Sequence, residues 1–183
     1  MQRTRLNGRR IIAEVIPLIV LVVTIVIDRV TKSYIERMYA EGWRGTTVIE
    51  GFFEITRSLN KGAAWSLFAD KEWAQTFFKI LTVIAFFLFS AYYVFAVIKN
   101  KKWLKYSLAF IIGGMIGNFI DRVAFGAVTD FLSFTFGSYN FPTFNMADTF
   151  LCVGVIMLMV YYLFLDDAAL LNKNGNKELS DKQ

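Results

Sequence analysis

The sequence predicts an all-α membrane protein of four transmembrane helices, with a small extracytoplasmic β-rich segment between spans 1 and 2. Three observations carry that prediction. Of the 183 residues, 56% are hydrophobic and 17% aromatic, well above the composition of an ordinary soluble domain. The apolar residues gather in long runs, and the run at 80–98 holds 19 uncharged residues, enough to cross a hydrocarbon core. The basic residues stand in blocks that flank these runs, which fits membrane orientation and not the continuous basic footprint of a nucleic-acid binder. One integral membrane domain is expected over 1–183, with spans near 12–35, 76–98, 103–122 and 146–166. Extracytoplasmic segments then fall at 37–75 and 123–145, and 167–183 is a polar, disordered tail.

Arg3, Arg5, Arg9 and Arg10 precede the first apolar run, 11–27, which Glu14 and Pro17 interrupt. A basic start before apolar residues also fits a secretory signal peptide. No small-residue cleavage site follows, however, and the run passes into Asp28-Arg29-Val30-Thr31-Lys32 with more helix formers beyond, so a span is the better reading. Asp28 and Lys32 share a helix face. That spacing suits a mutually satisfied pair near the interface and equally a part in a site. Within 37–75, residues 46–49 and 52–56 are β-branched and aromatic, broken at Glu50-Gly51, and predict a short hairpin. Residues 58–65 read as a small, flexible surface loop, with Trp65 as an anchor at headgroup level.

After Lys79, which can snorkel, comes the clearest span. Lys99, Lys101, Lys102 and Lys105 crowd the short loop that follows it. The third apolar run is 106–120 and the fourth 149–165. The N-terminus and the lysine loop are dense in Lys and Arg, whereas 123–147 contain none. With four spans, both termini and the lysine loop are therefore cytoplasmic, and 37–75 and 123–145 face outward. The single cysteine, Cys152, lies in an apolar run, so no internal disulfide forms and a small buried thiol is expected. Histidine is absent, which removes Ser–His and Cys–His nucleophiles and most zinc sites. Acid–base chemistry must come from carboxylates, lysines, tyrosines or water.

The stretch 117–148 concentrates Asn118, Asp121, Arg122, Asp130, Asn145 and Asp148 between two strongly apolar segments. Ionisable groups at bilayer depth are costly, so a functional site is the default reading. Length sharpens it: 15 uncharged residues at 106–120 make about 22 Å of helix, against about 30 Å of hydrocarbon. The run 149–165 reaches about 26 Å. Both fall short at their outer ends, so either the bilayer thins there or the polar groups lie within its outer part and face a wet interior; the second reading is preferred. Asn118, Asp121 and Arg122 can share one helix face, and Gly113 and Gly117 would admit a second helix closely. An interfacial ion pair would also account for Asp121-Arg122. Asn145 is a good N-cap, with Asp148 at the third helical position, close to a capping box. Capping and catalysis are compatible there, because backbone donors would fix the carboxylate.

Asp130 is harder to assign to structure. It stands alone in Val128-Thr129-Asp130-Phe131-Leu132, with no lysine or arginine beside it, and burial near lipid would raise its pKa. Folded against Asp148, it would share one proton with it, since two adjacent carboxylates do not both ionise readily. Such a pair can deprotonate water while protonating a carbonyl oxygen. Whether the two residues meet is not written in the sequence. Membrane carboxylates also serve as proton relays, so a small proton-coupled transporter is the rival reading, with a non-catalytic assembly factor as a third.

Five motifs stand in order across about residues 20–165: Asp28-x-x-Thr31-Lys32, Asn60-x-Gly62-Ala63-Ala64-Trp65, Gly117-Asn118-x-x-Asp121-Arg122, Val128-x-Asp130-Phe131 and Phe144-Asn145-x-Ala147-Asp148. Together they resemble the bacterial lipoprotein signal peptidase (signal peptidase II) family. The resemblance implies an aspartyl endopeptidase of the bacterial cell membrane that cleaves prolipoproteins N-terminal to the diacylglyceryl-modified cysteine. It implies Asp130 and Asp148 as the catalytic pair, and Asn118, Asp121, Arg122 and Asn145 as support for the pair and the substrate. Asp28 and Asn60 match further motif positions near the site. It also implies inhibition by the cyclic peptide globomycin and no metal or other cofactor. The expected partners are the lipidated prolipoprotein and membrane lipid, with no nucleic acid, and the chain is expected to act as a monomer. Leu59 departs from the family pattern, in which a polar or basic residue often precedes the asparagine.

Overall fold

The computed structural model describes residues 8–62, 71 and 73–165. Helix α1 (Gly8–Ala40) leads into strands β1 (Thr46–Ile49) and β2 (Phe53–Asn60); α2 (Ala74–Ile98) and α3 (Lys102–Ala124) follow, joined by a short loop at 99–101. Strands β3 (Val128–Phe136) and β4 (Tyr139–Asn140) then precede α4 (Met146–Val160), which runs on into a π-helical turn, Tyr161–Leu165. The expected loop residue Trp65 and the tail at 166–183 lie outside the described residues.

Helix α3 is the axis of the bundle, and its sequence explains why. Among the three helices long and apolar enough to cross a membrane, the most apolar window of α3 is 56% buried, against 6% for α2 and 11% for α4. Small residues let its neighbours in. A Cβ at Gly113 would lie 2.9 Å from Thr24 of α1, and one at Gly114 would lie 2.5 Å from the Ala147 carbonyl of α4. At Gly117 a Cβ would meet Asp28 Oδ2 at 2.5 Å and Ala147 Cβ at 3.1 Å. From the other side, Gly154 of α4 sits against Ile111 and the Ser107 carbonyl. The glycines are thus the contact surface between three helices, a packing that small residues permit and larger ones forbid. Leu104, Leu108, Ile112, Ala96 and Tyr161 close the opposite end of the bundle as a buried apolar cluster.

Helix α1 is long (33 residues) but carries Glu14, Asp28, Arg29 and Lys32, so it is not one of the three plainly apolar spans. Its charges face inward: Asp28 and Lys32 are buried against α3. Lys105 of α3, also buried, pairs with Glu14 at 2.8 Å near the other end.

The predicted hairpin at 46–56 is present, but the sheet is larger than its sequence segment. The four strands among the described residues form one antiparallel sheet in the order β1-β2-β3-β4, so the 123–145 segment joins the 37–75 segment. Residues 58–60, expected in a loop, extend β2 because β3 supplies their backbone partners. The third helix, expected near 103–122, runs past its apolar run through Asp121 and Arg122 to Ala124, because the polar side chains turn inward to partners instead of facing lipid. Cys152 is exposed, not buried. On α4 the buried positions are Ala147 and Gly154, and Cys152 falls off that face, so its apolar surroundings are not the protein interior.

Candidate active site

Strand pairing and a helix cap together bring the two aspartates to one point. In the β2–β3 register, Ser58 lies opposite Asp130 and Asn60 opposite Val128. Residues two apart on a strand share a face, so Asn60 and Asp130 emerge side by side, and Asn60 Nδ2 donates to Asp130 Oδ2 at 3.0 Å. On the other flank of β3, the Phe144 carbonyl accepts from the backbone N–H groups of Phe131 and Leu132 at 3.0 and 2.8 Å. That clamp delivers the next residue, Asn145, to Asp130. Asn145 Nδ2 donates to Asp130 Oδ1 at 2.6 Å.

Asn145 is also the N-cap of α4, in a complete capping box with Asp148. Its Oδ1 accepts from the Asp148 backbone N–H at 3.0 Å, and its own N–H donates to Asp148 Oδ2 at 3.2 Å. One asparagine therefore touches both carboxyl groups. Asn118 of α3 completes the frame: its Nδ2 donates to Asp148 Oδ1 at 2.7 Å, and its Oδ1 accepts from Asn145 Nδ2 at 3.0 Å.

The two carboxyls have different surroundings. Asp130 is 2% exposed. Burial first, and the negative charge of Asp148 second, push its pKa up to about 7, against the lowering effect of the Asn60 and Asn145 hydrogen bonds and of Lys32. Asp148 is half-buried and lies in the first turn of α4. There the helix dipole and an N–H donor on each oxygen suit a carboxylate.

Behind this frame lies a compensated charge cluster. Lys32 Nζ is 2.9 Å from Asn118 Oδ1, 3.0 Å from Asp28 Oδ2 and 3.2 Å from Asp121 Oδ2. Arg29 pairs with Asp121 as well. The same two carboxylates also hold backbone: Asp28 Oδ1 accepts from the Ala147 N–H at 3.0 Å, and Asp121 Oδ2 from the Thr129 N–H at 3.1 Å. Asp28 therefore fixes the start of α4, and Asp121 fixes the residue before Asp130. Thr129 Oγ1 also donates to Glu36 at 2.9 Å, and Glu36 pairs with Arg57 of β2 at 2.9 Å. Arg122 is half-buried, reaches the Gly62 carbonyl at 3.5 Å and lies over the Phe78 ring. Its Nε is shielded from solvent without a partner among the described residues, and the guanidinium is within electrostatic reach of Asp121, Asp130 and Asp148.

All eight residues singled out in the sequence converge here. Asn60, Asn118 and Asn145 touch the carboxyl pair directly; Asp28 and Asp121 act one step removed. The Asp28–Lys32 pair is present at 3.0 Å, and both residues are buried and share further partners on α3 and α4. One reading needs correction. Asp121 does not pair with Arg122: adjacent residues of a helix point apart, and Asp121 turns instead to Lys32 and Arg29. Thr129 and Glu36 were not expected in the site, and Lys32 was weighed for it only through its i,i+4 spacing from Asp28.

The family profile described as Signal peptidase (SPase) II matches residues 20–164, and that stretch contains every residue of the site. The chain belongs to the signal peptidase II family. The lipoprotein signal peptidase of Maridesulfovibrio salexigens is 41% identical over 147 residues, 79% of this chain and 92% of its own length. That of Listeria welshimeri is 42% identical over 143 residues, 78% of this chain and 89% of its own. Two solved structures of bacterial membrane enzymes share the fold. One has a TM-score of 0.65 at 31% identity, over 91% of each chain. The other has a TM-score of 0.67 at 32% identity, over 82% of this chain and 94% of its own. As a signal peptidase II, the chain is a multi-pass membrane protease, and the proton-coupled transporter reading is left without support.

Proposed function

We propose that this signal peptidase II is an aspartyl endopeptidase that removes signal peptides from prolipoproteins, cutting N-terminal to the diacylglyceryl-modified cysteine. The observation that carries the reading is Asn145, whose side chain binds Asp130 while its backbone binds Asp148. In the resting site Asp130 holds the shared proton and Asp148 is the carboxylate. Asp148 takes a proton from water as the water oxygen attacks the scissile carbonyl carbon, and Asp130 gives its proton to the carbonyl oxygen. The tetrahedral diol then collapses: the C–N bond breaks, the amine leaves with the proton held by Asp148, and Asp130 recovers its own. One water is consumed and the pair returns to its starting state. Asn60 and Asn145 keep Asp130 aimed, since a protonated carboxyl still accepts on both oxygens. Arg122, whose guanidinium lies within electrostatic reach of both carboxyls, would hold a substrate carbonyl.

The same reading makes α1 the fourth span. Its charges are compensated inside the bundle, which offsets their cost at membrane depth. The basic flanks place both termini in the cytoplasm and the carboxyl pair at the outer face of the cell membrane. The sheet and the 123–145 segment cover the site and limit bulk water. The substrate's acyl chains enter from the surrounding lipid, and the chain works as a monomer.

The test is incubation of the purified protein with a diacylglyceryl-modified prolipoprotein, with and without globomycin. Cleavage that globomycin blocks is expected, as is its loss in both Asp130→Asn and Asp148→Asn while each variant still inserts and folds. Turnover should fall as pH rises through about 7, where Asp130 loses its proton. Cleavage retained by either variant would refute the assignment of the pair.

A further inference from the structure

We propose that Lys32 is a positioning residue of this site: its ammonium fixes the direction of the Asn118 amide, and through that amide it holds Asp148 as the base of the pair. The proposal rests on the peptidase reading above and adds a residue to it.

Lys32 is 1% exposed; its ammonium donates to Asn118 Oδ1 at 2.9 Å and forms ion pairs with Asp28 Oδ2 at 3.0 Å and Asp121 Oδ2 at 3.2 Å. A lysine so enclosed is shut off from bulk water, so it acts through its neighbours. Asn118 is the neighbour that leads to the chemistry. A primary amide has a donor end and an acceptor end of nearly equal size, and shape alone does not choose between them. Here Oδ1 faces Lys32 and the Asn145 amide, while Nδ2 faces the Asp148 carboxylate at 2.7 Å. A flipped amide would set its NH2 against the ammonium and its carbonyl against the carboxylate. With the lysine present, one direction is allowed, and in it Asp148 Oδ1 receives a hydrogen bond.

Charge acts in the same sense. The groups facing Lys32 are Asp28 on its own helix; Asn118 and Asp121 on α3; Asp130 on β3; and Asp148 on α4 behind Asn118. Arg122 faces the two carboxyls and Asp121. Arg29 reaches the cluster through Asp121. Two cations thus balance Asp28 and Asp121. Without Lys32, one negative charge is left uncompensated beside the pair, and proton uptake by the pair is favoured. The acid form of Asp130 would then persist to higher pH, because the Lys32 charge is one of the influences that lowers its pKa.

The experiment measures kcat, KM and the pH profile of Lys32→Met in the full chain, with a diacylglyceryl-modified prolipoprotein as substrate. Methionine keeps the length and removes the charge and donors. The expected result is an unchanged KM, a fall in kcat on the order of 100-fold, the scale of a misdirected acid–base group, and an alkaline limb moved to higher pH. In Lys32→Met/Asp28→Asn the charge balance is restored, so the limb returns toward its wild-type position while kcat stays low. Wild-type kcat and an unmoved limb in Lys32→Met, beside an inactive Asp148→Asn, would overturn the proposal and leave the peptidase reading standing. Absence of cleavage by the wild type would overturn both. If the single variant does not fold, the charge-balanced double variant is read in its place, and wild-type kcat there refutes the proposal. If neither folds, Lys32 is a folding residue only, and the proposal fails.

Discussion

An asparagine that opens a helix is ordinarily a cap, and Asn145 is one: its Oδ1 holds the Asp148 N–H. The same side chain spends its two amide hydrogens on Asn118 and Asp130. These roles separate by substitution, because aspartate caps a helix as well as asparagine does, whereas alanine does not. Asn145→Ala should lose about 1 kcal/mol of stability, the ordinary cost of a missing cap, and lose turnover. Asn145→Asp should keep the cap but replace the donor to Asp130 with another acceptor, so its turnover should be as low as that of the alanine variant. Thermal unfolding in detergent and cleavage of the lipidated precursor measure the two effects separately. Turnover near wild type in Asn145→Asp would mean that Asn145 serves the helix and not the carboxyl pair. Asn60, which supports Asp130 from the opposite strand, should be less critical, because Asn145 still holds the other oxygen.

At the level of elements, the site depends on three helices and two strands meeting within side-chain reach, and glycine lets the helices come close enough. Gly117 is the sharpest case, since a methyl there would overlap Asp28 Oδ2 and press on Ala147. Both contacts involve parts that cannot yield without cost: the Asp28 carboxylate is held by Lys32 and the Ala147 N–H, and Ala147 lies in the first turn of α4. Gly117→Ala should therefore lose on the order of 1–3 kcal/mol, the usual range for overpacking. It should also reduce turnover by shifting the helix that carries Asp148. A variant with wild-type melting temperature and turnover would show that α1 and α4 can move away freely, against this account. The sequence announced Gly113 and Gly117 only as a spacing of four, which is common. What turned the spacing into a packing surface was the matching of Gly114 and Gly154 with Ala147, Ile111 and Ser107 across two helices, and one helix read alone contains none of that.

Over the whole molecule, the parts that could be read early are those set by local pattern. The apolar runs gave the helices, the β-branched stretch gave the β1–β2 hairpin, and Asn145-x-x-Asp148 gave the cap. The meeting of Asp130 with Asn60 could not be read, because it joins residues 70 positions apart through a β2–β3 register that shifts between Ile55 and Ser58. Cys152 was misplaced for a related reason: in a membrane protein an apolar run does not say which side faces protein and which faces lipid. Orientation is where local pattern makes its strongest remaining claim. Helix α2 holds 25 residues, about 37 Å of rise, and α3 returns the chain to the carboxyl pair. The turn at Glu50 and the lysine loop at 99–101 therefore belong to opposite ends of the α2–α3 pair. If basic residues stay on the cytoplasmic side, a cysteine at Glu50 is outside and a cysteine at Lys99 inside, both positions being exposed in the fold. In a Cys152→Ser background, a membrane-impermeant maleimide should label Glu50→Cys in intact cells and Lys99→Cys only after lysis. The reverse pattern would put Asp130 and Asp148 at the cytoplasmic face and remove them from any substrate already exported across the membrane.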